Sequence, residues 1–293
     1  MTEIGFVGLG SMGAPLAARL LPGNRVYGTN RTAAKAAALI EQGLVWRDTP
    51  REVAAAADVV FSMVTDDNAL TAITAGPDGI LAGLRPGTLY VDMSTVSPQA
   101  SRALAAQVRG VGGTMIDAPV SGSVPAAESG TLAIMAGGPE PAFRAAEPLL
   151  RRLGSTVTHV GGNGQGLLLK LAINISLAAQ LLAFSEGLLL AERGGVDPEL
   201  AARVMTTSSI GSPLLRTRAP LVLDLPEQAW FDVRMLHKDI RLALAADTGM
   251  PLPAAAAADR VLGQAEALGY GHRDVASLLH VLAEQSGSDP RAA

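Results

Sequence analysis

Up to residue 160 the chain alternates between two kinds of segment, and after Gly164 the alternation stops. Short runs with strand character (Glu3 to Val7, Arg25 to Gly28, Asp58 to Met63, Thr88 to Asp92, Thr114 to Asp117, Leu132 to Ala136, Val157 to Val160) are separated by alanine-rich stretches of helical period. That rhythm is the sequence form of βαβ units, so it predicts an α/β fold with a doubly wound, mostly parallel sheet. Beyond Gly164 the segments read as helices: "VDPELAARVM", with Asp197 as N-cap and Pro198 in the first helical position, "DVRMLHKDIRLALAADTG", "PAAAAADRVLGQAEALG" and "DVASLLHVLAEQ". The break "GGNGQG", Gly161 to Gly166, separates them. Two domains are expected, 1–163 and an all-α 164–293, joined through the helix that opens the second.

That helix is unusual. From Gly162 to Gly195, "GNGQGLLLKLAINISLAAQLLAFSEGLLLAERGG" is almost unbroken apolar sequence and long enough to span a bilayer. Lys170, Asn174, Gln180, Glu186 and Glu192 interrupt it, however, and ionisable groups inside a membrane are costly. A helix buried by protein is expected, without membrane contact. With 23 Lys and Arg against 27 Asp and Glu, a net charge of −4 and no block of like charge, neither nucleic acid nor an anionic surface is an expected partner. Without cysteine there is no thiolate chemistry, and the four histidines lack metal-ligand spacing, so no metal is expected. The opening "MTEIGFVGLGSMG" has neither the basic nor the apolar region of a signal peptide, which points to the cytoplasm.

Gly8, Gly10 and Gly13, with Leu9, Ser11 and Met12 between them, form G-x-G-x-x-G between a predicted strand and an amphipathic helix. Such a turn lets backbone approach a pyrophosphate, and the helix N–H groups receive its charge. A Rossmann-type dinucleotide site is therefore expected. An NAD site wants an acidic residue after the second strand, and this chain has Asn30, Arg31 and Thr32 there. Arginine pairs with a 2′-phosphate, which an acid would repel, so NADP(H) is expected over NAD(H). Met63, which ends the run from Asp58, Val64 after it, and Thr95 are also assigned to the cofactor.

"DMSTVSP" puts Ser94 and Thr95, and "DAPVSGSVPAAESGTL" puts Ser121, Gly122 and Ser123, just after strands, at the carboxyl edge where doubly wound sheets bind ligands. Either alone reads as a loop capping a helix; their shared edge suits them to a carboxylate. Lys170 and Asn174 stand one turn apart on one helix face. A lysine there ordinarily snorkels to solvent. In a reductase it would protonate the oxygen that turns negative as hydride reaches a carbonyl carbon, help worth on the order of 10²–10⁴ in rate.

At this point the chain resembles the β-hydroxyacid dehydrogenase family, on "GFVGLGSMGAPLA", "DMSTVSP", "DAPVSGS", "GQGLLLKLAIN" and "MLHKDIRLAL", which span nearly all of it. The resemblance implies a Rossmann-type domain followed by a helical domain that builds a homodimer or homotetramer. Gly166, Lys170 and Asn174 match the family's G-x-x-x-K-x-x-x-N catalytic pattern, Ser121 to Ser123 its substrate-carboxylate loop, and Lys238 its cofactor-side lysine. Within the family the chain is most similar to the NADPH-dependent glyoxylate and succinic semialdehyde reductases, whose pocket residues match Thr95, Ser121, Phe231 and Asp239. Residues alone allow plainer roles: packing for Phe231, a solvated pair with Lys238 for Asp239. The usual "SGG" is "SGS" here, and "SSIGSPLLRTRAPLVLDL", Ser208 to Leu225, departs from the familiar pattern. Three alternatives stay open: a 3-hydroxyisobutyrate-type dehydrogenase of other 3-hydroxy acids, an imine reductase, which shares Asn-Arg-Thr but lacks the lysine, and a non-catalytic NADPH-binding module.

Overall fold

The computed structural model describes residues 1–246 and 249–285; Asp247 and Thr248, inside the expected helix 232–249, and 286–293, the end of the expected second domain, lie outside the described residues. The chain divides into two compact units, Met1–Lys170 and Leu171–Ala293.

The first unit is built on nine strands: β1 (Glu3–Val7), β2 (Arg25–Thr29), β3 (Val45–Trp46), β4 (Val59–Ser62), β5 (Leu89–Asp92), β6 (Thr114–Asp117), β7 (Val120–Ser121), β8 (Ala133–Gly137) and β9 (Thr156–Gly161). They form one sheet in the order β3-β2-β1-β4-β5-β6-β8-β7, with β9 paired to β8. The first six pair in parallel; β8 runs antiparallel to β6 and β7, and β9 runs parallel to β8. The predicted mostly parallel, doubly wound sheet is therefore present. Its strands read as near-continuous apolar runs because both faces are covered. Successive residues point to opposite faces. Ile4, Phe6, Val59, Phe61, Leu89, Val91 and Ile116 enter one core with Leu16 and Leu20 of helix Gly13–Leu20 and Phe143 and Leu150 of helix Glu140–Leu153. Val7, Val60, Tyr90 and Met115 enter the other, with Val53 of helix Pro50–Ala56 and Leu104 and Val108 of helix Pro98–Gly110.

Helix Gln165–Arg193 is 29 residues long and, among the described residues, alone has the length and hydropathy to cross a membrane. Its buried positions Leu167, Leu171, Asn174, Ala178, Leu181, Ser185 and Leu188 recur every three or four residues as one stripe. Leu169 and Leu190 are exposed. In the second unit Ala178, Leu181, Phe184 and Leu188 share a core with residues of the helices Pro198–Thr207, Pro213–Leu223, Val233–Ala245 and Pro253–Ala267. Asp197 caps the first of these, accepting from the Leu200 N–H at 2.8 Å, as its place before Pro198 predicts. Helix Pro213–Leu223 lies in the stretch that departs from the familiar pattern, with Ser212 as its cap, accepting from the Leu215 N–H at 3.2 Å.

Candidate active site

The three glycines of the turn differ in what the fold asks of them. Gly8 has φ +97°, and a Cβ there would collide with the Met63 carbonyl oxygen. A Cβ on Gly13 would collide with the Gly8 carbonyl oxygen, so the start of helix Gly13–Leu20 packs directly on the turn. At Gly10 a Cβ would meet nothing within 4 Å. The fold demands the first and third glycines, whereas the middle one opens onto space. Helix Gly13–Leu20 carries no side-chain cap and no acid in its first turn, which suits it to receiving phosphate.

Neighbouring loops are tied to this turn. Asn30 accepts from the Leu9 N–H (3.1 Å) and donates to the Thr32 carbonyl (3.1 Å), so its side chain binds the glycine turn to the loop after β2. Ser11, Arg31 and Thr32 are exposed and Met12 is half-buried. A dinucleotide fits these residues: open backbone at Gly10, an uncapped helix start, and a cation with a hydroxyl beyond β2.

A second device holds Met63 and Val64. The Ser62 and Ser94 hydroxyls each donate to Asp92 Oδ1 at 2.7 Å, and Ser94 Oγ accepts from the Val64 N–H at 2.9 Å. Burial pushes the Asp92 carboxyl above its usual range, and the two serines counter that shift. Ser94 is fully buried in this network and serves as scaffold, with half-buried Thr95 following it at the edge. Gly122, at φ +130°, would press a Cβ against Leu132 and Ala126. Ser121 ends β7, and the Ser123 side chain makes no capping hydrogen bond to helix Val124–Ser129, whose first turn donates N–H groups to the Ser123 carbonyl instead, which removes the plain side-chain capping role for that serine.

Asp117 ends β6 and reaches the start of the long helix, where Oδ1 accepts from the Gly164 N–H (2.6 Å) and Oδ2 from the Leu167 N–H (3.2 Å). Burial pushes its carboxyl up to about 6, although those N–H bonds pull the other way. Asp117 thus caps the helix three residues before Lys170. Lys170 is 8 % exposed, so it does not snorkel. One turn on, Asn174 is fully buried, and its Nδ2 donates to Asp239 Oδ2 at 2.6 Å. Lys238 Nζ stands 2.8 Å from Asp239 Oδ1. Asp239 is 3 % exposed, which rules out the solvated-pair role and makes it the group that orients Asn174. Phe231 is half-buried against the core of the second unit. Local spacing does not mark Asp92, Ser62 or Asp117 as supports of these loops: "DMS" and "DAP" contain two of them, but Ser62 meets Asp92 across 30 residues and Leu167 meets Asp117 across 50.

Residues 3–161 match the model of the NAD binding domain of 6-phosphogluconate dehydrogenase, and residues 164–282 that of the NAD-binding region of NADP-dependent 3-hydroxyisobutyrate dehydrogenase. Over 253 residues the chain is 36% identical to the 3-hydroxyisobutyrate dehydrogenase of Pseudomonas aeruginosa, covering 84% of this chain and 85% of that one. The chain belongs to the β-hydroxyacid dehydrogenase family. Another member, glyoxylate/succinic semialdehyde reductase 2 of Arabidopsis thaliana, is 32% identical over 283 residues, 96% of this chain and 79% of its own. The structure of the Mycobacterium tuberculosis 3-hydroxyisobutyrate dehydrogenase with L-serine superposes with a TM-score of 0.85 at 31% identity, covering 96% and 99% of the two chains. As a β-hydroxyacid dehydrogenase, the chain is a nicotinamide-dependent oxidoreductase with a Rossmann domain followed by a helical one.

Proposed function

We propose that the chain reduces small aldehyde and keto acids, glyoxylate and succinic semialdehyde foremost, with NADPH as reductant and Lys170 as proton donor. One observation carries the reading: Lys170 is buried one turn before Asn174, whose amide is fixed by buried Asp239. A lysine held away from water beside an oriented amide is suited to proton transfer at a polar substrate.

Bound NADPH supplies the hydride. The turn from Gly8 through Leu9, Gly10, Ser11 and Met12 to Gly13 holds the pyrophosphate, and Arg31 and Thr32, on the loop braced by Asn30, take the 2′-phosphate. Met63, Val64, Thr95 and Lys238 complete the cofactor side. Ser121, the Gly122 amide and Ser123 hold the substrate carboxylate, while Phe231 and Asp239 bound its remaining chain. The Lys170 ammonium gives one proton to the carbonyl oxygen and is left as the neutral amine; with the hydride on carbon, C=O becomes CH–OH. Oxidation reverses the transfer and needs the neutral amine first, which favours higher pH. The segments 1–163 and 164–293 divide these tasks, in a cytoplasmic homodimer or homotetramer.

The 36% identity to the Pseudomonas aeruginosa enzyme favours a second reading, oxidation of other 3-hydroxy acids. Absorbance of NADPH and of NADH, followed with glyoxylate, succinic semialdehyde, methylmalonate semialdehyde and a cyclic imine, separates the readings. Consumption of NADPH with the first two is expected. Preference for the third moves the assignment to the second reading, and preference for the imine, or for NADH, overturns it.

A further inference from the structure

Arg218 sits in the stretch that departs from the family pattern, and it is buried. Its Nη1 donates to both carboxylate oxygens of Asp274, at 2.8 and 2.9 Å, with the two side chains 6% and 0% exposed. Asp274 also accepts from backbone: Oδ2 from the N–H groups of Trp230 (2.8 Å) and Phe231 (3.2 Å), and Oδ1 from that of Ala276 (3.0 Å). The Phe231 carbonyl accepts from the Val275 N–H at 3.0 Å, and the Val233 N–H donates to the Arg273 carbonyl at 3.0 Å. Both backbone polar groups of Phe231 are therefore fixed by residues 274 and 275. The Arg218 guanidinium also lies 5.7 Å from the centre of the Trp230 ring. Immediately after Phe231, Asp232 caps helix Val233–Ala245 through the Met235 N–H at 2.8 Å.

Breaking a buried ion pair leaves a charge without its partner, whereas exchanging the whole pair for neutral groups is often tolerated, so such a pair is better evidence of specificity than of stability. Here the pair joins helix Pro213–Leu223 to the loop that carries Phe231. We propose that Arg218 and Asp274 are positioning residues that set substrate length, by holding Phe231 at the place where it meets the methylenes of a longer acid. This rests on the reductase reading and deepens it. Glyoxylate has no carbon beyond its carbonyl and carboxylate and does not depend on that wall; succinic semialdehyde, with two methylenes between, does.

The test compares kcat/KM for the two acids in Arg218→Met and in the neutral double variant Arg218→Met with Asp274→Asn, which leaves no uncompensated buried charge and keeps the test open should the single variant fail to fold. Succinic semialdehyde is expected to lose at least about tenfold in both variants, with glyoxylate and the KM for NADPH within about threefold of wild type, since methylene contacts carry discrimination of that size. Arg218→Lys, which keeps the charge, is expected to recover part of the loss. Parallel losses for both acids, or no loss for either, overturn this inference alone. A wild-type enzyme inert toward both acids overturns the reductase reading and this inference with it.

Discussion

Gly10→Ala tests whether the middle glycine of the turn serves the cofactor and not the fold. A methyl at Gly10 meets nothing within 4 Å, and the residue is not among those of positive φ. The substitution is therefore compatible with the backbone and, by narrowing the unfolded ensemble, contributes about 0.4–1 kcal/mol to stability. In the absence of cofactor the melting temperature should hold or rise by about 1–4 °C. If pyrophosphate lies against this backbone, the methyl occupies its place and displaces it from the N–H groups of the turn. Two charge-assisted hydrogen bonds at about 1.5–3 kcal/mol each amount to about 3–6 kcal/mol, on the order of 10²–10⁴ in Kd. Calorimetric titration with NADPH and a thermal melt of the same sample read both quantities. Gly8→Ala provides the contrast: its methyl collides with the Met63 carbonyl at φ +97°, so its cost, about 1–3 kcal/mol or more, appears in the melt before any ligand is added. A Gly10→Ala protein that binds NADPH as wild type does would show that the pyrophosphate does not lie on this turn, and one that melts as low as Gly8→Ala would show that the fold needs this glycine too.

Three further outcomes follow from particular residues. Arg31→Ala should weaken NADPH by about tenfold to a hundredfold through loss of a charge-assisted bond and leave NADH binding unchanged, which competitive titration checks. Burial raises the Asp117 carboxyl from 3.8 to about 6, so between those values the folded chain holds a proton that the unfolded chain has released. Stability owed to this group is accordingly gained as pH falls from 6 toward 4 and lost as pH rises through 6, about 3 kcal/mol in all at 1.36 kcal/mol per unit. Asp117→Asn should remove that dependence, and denaturant melts of both proteins across the window would expose an error if the curves stay parallel. Phe184, 1 % exposed in the core of the second unit, should cost about 3–5 kcal/mol on change to Ala, measured by the urea midpoint.

The sheet was legible because its strands are buried on both faces: Glu3–Val7, Val59–Ser62 and Leu89–Asp92 read as strands without any partner being known. Val45–Trp46 and Val120–Ser121 were not, since two residues carry no period. Helix Pro213–Leu223 was hidden by Pro220 inside it. At the site, the glycines, Lys170 and Asn174 were legible because the motif spacing is local. What supports them was not: Asn174 meets Asp239 across 65 residues and Asp117 meets Leu167 across 50, and at the loop of Phe231 Arg218 meets Asp274 across 56. Such pairings depend on topology, which spacing along one chain does not contain. The burial of Lys170 belongs to the same class, since an apolar helix with a lysine near its start reads equally as a snorkelling side chain.

Buried Lys170 is proposed to deliver the proton. Turnover of glyoxylate and succinic semialdehyde by Lys170→Ala, followed through NADPH absorbance beside wild type with the NADPH Kd measured on the same preparations, tests it most directly. A loss of about 10²–10⁴ in kcat with the Kd unchanged is expected. A Lys170→Ala enzyme that keeps its turnover contradicts it.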